Sequence, residues 1–209
     1  ATAVCLQALG ANIVKTQAGF HVTPAKNIPK SANLFCRESG STLRFLLPIV
    51  GALGVNAIFH LEGRLPKRPL SPLWEEMERM GCRLSRPTDC TIRCEGKLQP
   101  GHYEISGSVS SQFITGLLFA LSLIDGKCEL SVTGKIESQP YIEMTRNAME
   151  CFGRSSRNFQ IDGGLPFISP GKLKVEGDWS NGAFFVVANA LGSDITVLNL
   201  RADSAQGDK

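Results

Sequence analysis

Serine-led apolar runs recur along the chain at a fixed interval. STLRFLLPIVGAL from Ser41, SQFITGLLFALSL from Ser111 and SNGAFFVVANALG from Ser180 align with offsets of 70 and 69. Each run has the length and composition of a helix and ends in a short Gly, Asp or Asn turn. Each is then followed by a β-branched stretch that predicts a strand: NAIFHLEG, KCELSVTGKI and SDITVLNL. A period of this size marks an architecture built from repeated helix–strand units. In two copies a second helix follows the strand. SPLWEEMERMGCRL and QPYIEMTRNAMECFG each carry a proline near the start and close at Gly81 and Gly153. TAVCLQALGANI stops at Gly10, 71 positions before Gly81, and reads as the second helix of an earlier unit whose first helix is missing. Short strands are predicted at TIRC, HYEIS and KLKVEG.

The two helix types differ in how they distribute apolar positions. Leu73, Met77 and Met80 form a stripe, with Glu75, Glu76 and Glu78 predicted to lie on a wet face. Phe113, Ile114, Leu117, Leu118, Phe119 and Leu121 instead surround their axis, as do Ala183, Phe184, Phe185, Val187 and Leu191, which predicts burial on all sides. The expected fold is α/β, with repeated units of βαβαββ type, apolar helices inside and sheets outside. Pro48 falls within the first apolar helix and is expected to kink it.

Composition narrows the function classes. With 209 residues, 43% of them hydrophobic, the chain can bury a substantial core. Lys and Arg number 22 against 19 Asp and Glu, a net charge of +3, with no basic run or aromatic-interleaved patch suited to nucleic acid. A small anion fits this balance better. The seven cysteines are scattered without a C-x-x-C pair, so they point to reduced thiols in a cytosol rather than to disulfides or zinc, and no metal site or cofactor is predicted. No apolar run is long enough to span a membrane, because Arg44, Pro48 and Gly51 interrupt the longest candidate. The first residues read as an amphipathic helix rather than a signal peptide, so the chain is expected to begin in the middle of a fold.

The serines have two readings. As helix caps, Ser110 or Ser111, and Ser39 or Ser41, accept hydrogen bonds from orphan N–H groups, each worth about 1 kcal/mol. As ligand groups, they sit where free N–H groups and the positive end of the helix dipole bind phosphate or carboxylate. ESGSTLRF adds Gly40 for close backbone approach, hydroxyls at Ser41 and Thr42, and the fixed cation of Arg44, which needs a partner in so apolar a helix. GRLPKRPLSPL adds Arg64, Lys67 and Arg68 in a proline-stiffened loop, either a solvated basic loop or an anion clamp.

SGSTLRF, LPKRPLSPL, GSVSSQFITGLL, SQPYIEMT and VEGDWSNGAFF, in this order and spacing, resemble the 3-phosphoshikimate 1-carboxyvinyltransferase (EPSP synthase) family from Leu6 to about Asp208. The resemblance implies transfer of the enolpyruvyl group of phosphoenolpyruvate to the 5-hydroxyl of shikimate 3-phosphate, releasing phosphate, without a metal. It assigns Ser110 and Ser111 to the shikimate phosphate, Gln112 to the shikimate ring, Ser138 to a further phosphate contact and Tyr141 to the wall of that site. Gly40 and Ser41 would sit against phosphoenolpyruvate, and Arg68 would bridge towards the phosphates of both substrates. The family's addition–elimination chemistry also needs a proton donor and a base. The segments carrying them would precede Ala1 and follow Lys209, so no catalytic residue is expected within 1–209 and the chain is expected to be inactive alone.

In this family two similar lobes, each of three units, enclose the active site. Residues 1–176 would form most of the shikimate-phosphate lobe, and 177–209 would open the second. The helix from Ser180 is expected to fill the vacant third position in the first lobe, unless Phe184 and Phe185 prove exposed. Two positions depart from the family pattern. Glu38 stands where Asn is common and would need Arg37 or Arg44 as a partner, and Gln139 stands where Lys is frequent. The alternatives are the related UDP-N-acetylglucosamine enolpyruvyl transferases, which SVSSQF and SQPYIEM match less well, and a non-catalytic binding module of the same fold.

Overall fold

The computed structural model describes residues 1–209, the side chain of Arg157 excepted. A helix α1 (Thr2–Ala8) leads into a two-stranded antiparallel hairpin, β1 (Asn12–Thr16) and β2 (Gly19–Thr23). Strand β3 (Ser31–Arg37), helix α2 (Gly40–Leu53) and strand β4 (Asn56–Leu61) follow, then helix α3 (Leu73–Arg79) and the hairpin β5 (Cys82–Ser85) and β6 (Thr91–Gly96). Together they form the expected β-α-β-α-β-β unit. β3 and β4 are parallel, β6 pairs antiparallel with both β4 and β5, and the sheet order is β3-β4-β6-β5. The next unit repeats it with one strand fewer: β7 (His102–Ser106), α4 (Ser111–Leu121), β8 (Gly126–Thr133), α5 (Gln139–Cys151) and β9 (Gln160–Gly163), in the order β7-β8-β9. The last helix is α6 (Trp179–Ala190).

The apolar helices α2 and α4 lie side by side, as the all-round hydrophobicity of α4 requires. Leu43, Leu47 and Val50 of α2 and Phe113, Ile114, Leu117, Leu118 and Leu121 of α4 are each at most 1% exposed. Sheets cover them: α2 packs on β3, β4 and β6, and α4 on β8 and β9. α2 runs unbroken through Pro48. Proline has no N–H, so the Arg44 carbonyl four residues earlier loses its helical partner. Gly116 of α4 lies directly against that carbonyl. A Cβ at Gly116 would overlap the Arg44 oxygen and come 2.9 Å from Pro48 Cγ, so the helices approach this closely only because position 116 has no side chain.

Three expectations need correction. Glu76 is not on a wet face but is 7% exposed. Its carboxylate accepts from Arg79 Nε at 2.8 Å and Nη2 at 2.6 Å, and from the Glu104 N–H of β7 at 2.6 Å. It therefore satisfies a donor on an edge strand and joins one unit to the next. α6 is not buried either: Phe184 is 76% exposed, Phe185 48% and Leu191 84%. The idea that it fills a third position in the lobe is thereby overturned. It is held instead at its N-terminal end, where Gly182 packs on Leu200 and Trp179 N donates to Gln206 Oε1 at 2.8 Å. Finally, KLKVEG and SDITVLNL form no strands. They meet through Gly177 N donating to Asn199 O at 2.8 Å, but neither joins a sheet, and a strand without a ladder leaves its backbone groups to solvent.

Two stability measurements follow. Gly116→Ala would gain about 1 kcal/mol of helix propensity, yet overpacking at the α2–α4 crossing should cost about 1–3 kcal/mol more than that. Urea unfolding is expected to give a lower midpoint, and a more stable variant would mean that the helices do not meet there. Glu76→Ala should lower stability by about 2 kcal/mol through the donors it leaves unpaired, read as a shift of the same midpoint.

Candidate functional site

A cavity of about 690 Å³ opens where the first turns of α2, α4 and α5 converge. Ser41, Arg68, Ser110, Ser111, Gln112, Ser138 and Tyr141 all line it, so seven of the eight residues that the family resemblance assigns to substrates lie around one space. Gly40 is buried just behind the wall. Its open side is taken by Arg68, whose Nη1 lies 2.7 Å from where a Cβ would stand.

Both readings of the serines describe part of the arrangement. Ser110 is the cap of α4 and accepts from Gln112 N at 3.3 Å, and Ser39 caps α2, accepting from Thr42 N at 3.3 Å. Ser111, the first residue of α4, and Ser41, the second of α2, lie in the first turns behind these caps and line the cavity. Ser138 precedes α5 with φ 56° and ψ 42°, a left-handed conformation that costs a non-glycine residue of order 1 kcal/mol, and its hydroxyl makes no capping bond. Three helix starts thus present N–H groups and hydroxyls to the same space.

Arg44 and Arg68 supply the charge. Arg44 Nη1 donates to Gln112 Oε1 at 2.8 Å and Nη2 to Pro69 O at 3.3 Å, while Cζ lies 5.3 Å from the Phe113 ring centroid. Burial, and then the neighbouring Arg68 charge, push the Arg44 pKa down. Among the described residues neither arginine forms an ion pair. The carboxylate on the wall, Glu137, lies 3.2 Å from Lys135 Nζ. Glu38 pairs with neither Arg37 nor Arg44 and lies against Gly63. Such an arrangement can hold a small anion. Among the described residues no His, Cys, Asp or Glu cluster is suited to a metal.

Phe45, Thr115, Phe119, Met144 and Thr145 also line the wall; none was read from the sequence as a site residue, and Phe119 was read as core. Helical spacing could have found them, because 41/45, 111/115/119 and 141/144/145 each follow one face. Thr115 and Thr145 bridge α4 to α5 at 2.8 Å, and Thr145 Oγ1 donates to Tyr141 O at 2.9 Å, which fixes the turn that carries Tyr141. Tyr141 in turn donates to Asp208 Oδ2 at 2.7 Å, and Ser180 donates to the same oxygen.

The model of the family EPSP synthase (3-phosphoshikimate 1-carboxyvinyltransferase) matches residues 1–209. The chain belongs to the EPSP synthase family. It is 37% identical over 221 residues to a 3-phosphoshikimate 1-carboxyvinyltransferase of Clostridium botulinum (strain Alaska E43 / Type E3), covering 100% of this chain and 51% of that protein. Against the enzyme of the same name from Clostridium perfringens (strain 13 / Type A) it is 39% identical over 218 residues, with the same coverage. The chain therefore spans about half the length of the curated relatives it matches. The fold matches that of an EPSP synthase from Acinetobacter baumannii with a TM-score of 0.67 at 18% identity, over 90% of this chain and 44% of that one.

The hydrogen bonds from Ser180 and Tyr141 hold the Asp208 carboxyl below the usual carboxylate range, and the same contact pushes the Tyr141 pKa up. A depressed pKa means that the contact is complete above the unfolded value of about 3.9 and is lost as pH falls through the lower folded value. Carbon-13 NMR of the Asp208 carboxyl should show a midpoint below 3.9 that rises in Tyr141→Phe. A midpoint unmoved by that substitution would contradict the contact.

Proposed function

We propose that this chain is the shikimate 3-phosphate-holding half of an enolpyruvyl transferase. The whole protein would move the enolpyruvyl group of phosphoenolpyruvate to the 5-hydroxyl of shikimate 3-phosphate and release phosphate. One observation carries the reading: family-matching residues from separate motifs converge on a single cavity at three helix starts, beside two arginines that pair with no carboxylate among the described residues. Ser110, Ser111 and Ser138 hold the substrate phosphate through hydroxyls and N–H groups at positive helix ends. Gln112 and Tyr141 orient the ring. Ser41, with Gly40 behind it, faces phosphoenolpyruvate, and Arg68 bridges towards the phosphates of both substrates, where its charge offsets negative charge that builds on the transferring group.

Residues 1–176 are the binding lobe and 177–209 open the second. Two features support that boundary: the clustered buried core extends no further than Ile161, and α6 keeps its apolar side exposed. The proton donor and base belong to segments outside 1–209, which are this chain's partners in the same protein, so the chain alone binds without turnover. Seven free cysteines suit a reducing cytoplasm.

Calorimetric titration of the 209-residue chain with shikimate 3-phosphate tests the reading. One-site binding is expected, weakened at least about 10-fold in Arg68→Ala and about 100-fold in Ser110→Ala/Ser111→Ala. A folded wild-type chain that gives no binding heat, or variants that bind as well as wild type, would overturn it.

A further inference from the structure

Arginine carries only donors, so the Gln112 amide atom that faces Arg44 is the oxygen. The other end of the amide, Nε2, is then left for the cavity, where it can only donate. The Arg44 fork is itself held at three points, by Gln112 Oε1, by Pro69 O and by the face of the Phe113 ring. Its Nε is enclosed without a partner among the described residues. A guanidinium desolvated in this way and lacking a carboxylate is costly to keep unless its geometry is used.

We propose that Arg44 is a positioning residue that makes Gln112 a fixed hydrogen-bond donor, so that this end of the cavity selects ligands presenting acceptor atoms. With Arg44 in place, Gln112 cannot rotate to offer its oxygen, and a ligand with a donor at that point meets a donor. Without it the amide samples both orientations, and part of the binding free energy goes into fixing one of them. The inference rests on the reading of the cavity as the shikimate 3-phosphate site only for the identity of the ligand. The orientation of Gln112 is a property of the unliganded chain.

The test has two arms. In the unliganded, folded chain, the Gln112 side-chain amide signals, assigned by their loss in Gln112→Glu, should shift and gain mobility in Arg44→Met. The amide signals of the other glutamines should stay in place. Arg44→Lys keeps a cationic donor group without the fork and should restore part of the wild-type signature, and it serves as the test variant should Arg44→Met not fold. Unmoved Gln112 signals would overturn the proposal. In the second arm, shikimate 3-phosphate affinity is measured for Arg44→Met, Gln112→Ala and the double variant. Each single change should cost about 10-fold, and the double about the same rather than about 100-fold, because one residue acts through the other. Losses that multiply would mean that Arg44 contacts the ligand independently and would overturn the positioning role. A wild-type chain that shows the Gln112 signature but does not bind shikimate 3-phosphate would support the orientation and overturn only the ligand assignment.

Discussion

The site depends on how closely α2 and α4 can approach. Pro48 strips the Arg44 carbonyl of its helical N–H, and Gly116 lets the neighbouring helix pack onto that carbonyl. A side chain at position 116 would hold the axes apart. Arg44 and Gln112 lie on either side of that crossing, Gln112 one turn before Gly116, so the same contact brings the Arg44 fork to 2.8 Å from the Gln112 oxygen. It also sets the first turns of both helices side by side, which places Ser41 and Ser111 in the wall of one cavity. A proline that looks like a local defect in one helix is thus the other half of a glycine in the next.

Electrostatics then decide what that cavity can hold. Three helix N-termini give partial positive charge, and two arginines give full charge in a setting where Arg44 is substantially desolvated. Like charges at Arg44 and Arg68 repel, and no carboxylate among the described residues bridges them. Glu137 could offset them from the wall, but Lys135 lies 3.2 Å from its carboxylate. The cost of keeping two unpaired cations together falls sharply when an anion arrives, and this difference is what binding draws on.

Much of the molecule could be read from the chain because its physics is local and repeated. The seventy-residue period exposed the βαβαββ unit, and apolar residues all round its axis placed α4 in the core. The serine caps and the conspicuous arginines lie in short contiguous motifs, so the polar half of the site was readable. Glu76 was misjudged because its partner N–H belongs to β7 of the next unit, a pairing that helix periodicity cannot express. Phe45, Phe119 and Met144 were missed for a different reason: an apolar residue looks the same in the sequence whether it faces the core or a cavity. α6 was misjudged because all-round hydrophobicity states a demand for burial without saying which surface meets it.

The last segment shows why polar contacts and burial must be weighed separately. Residues 177–209 are anchored by directional bonds: Gln206 to both Trp179 N and Gly177 O, and Asp208 to Tyr141 and Ser180. Of these only the Tyr141–Asp208 bond reaches α5, and both bonds to Asp208 are exposed, where hydrogen bonds contribute little net free energy. The opposite side of α6 presents Phe184, Val186, Val187 and Leu191 without cover, and apolar area of that kind drives association far more strongly than such bonds hold a tail. Position is therefore set by the polar end and demand for burial by the apolar one, with Tyr141 as the point where the segment touches the cavity wall.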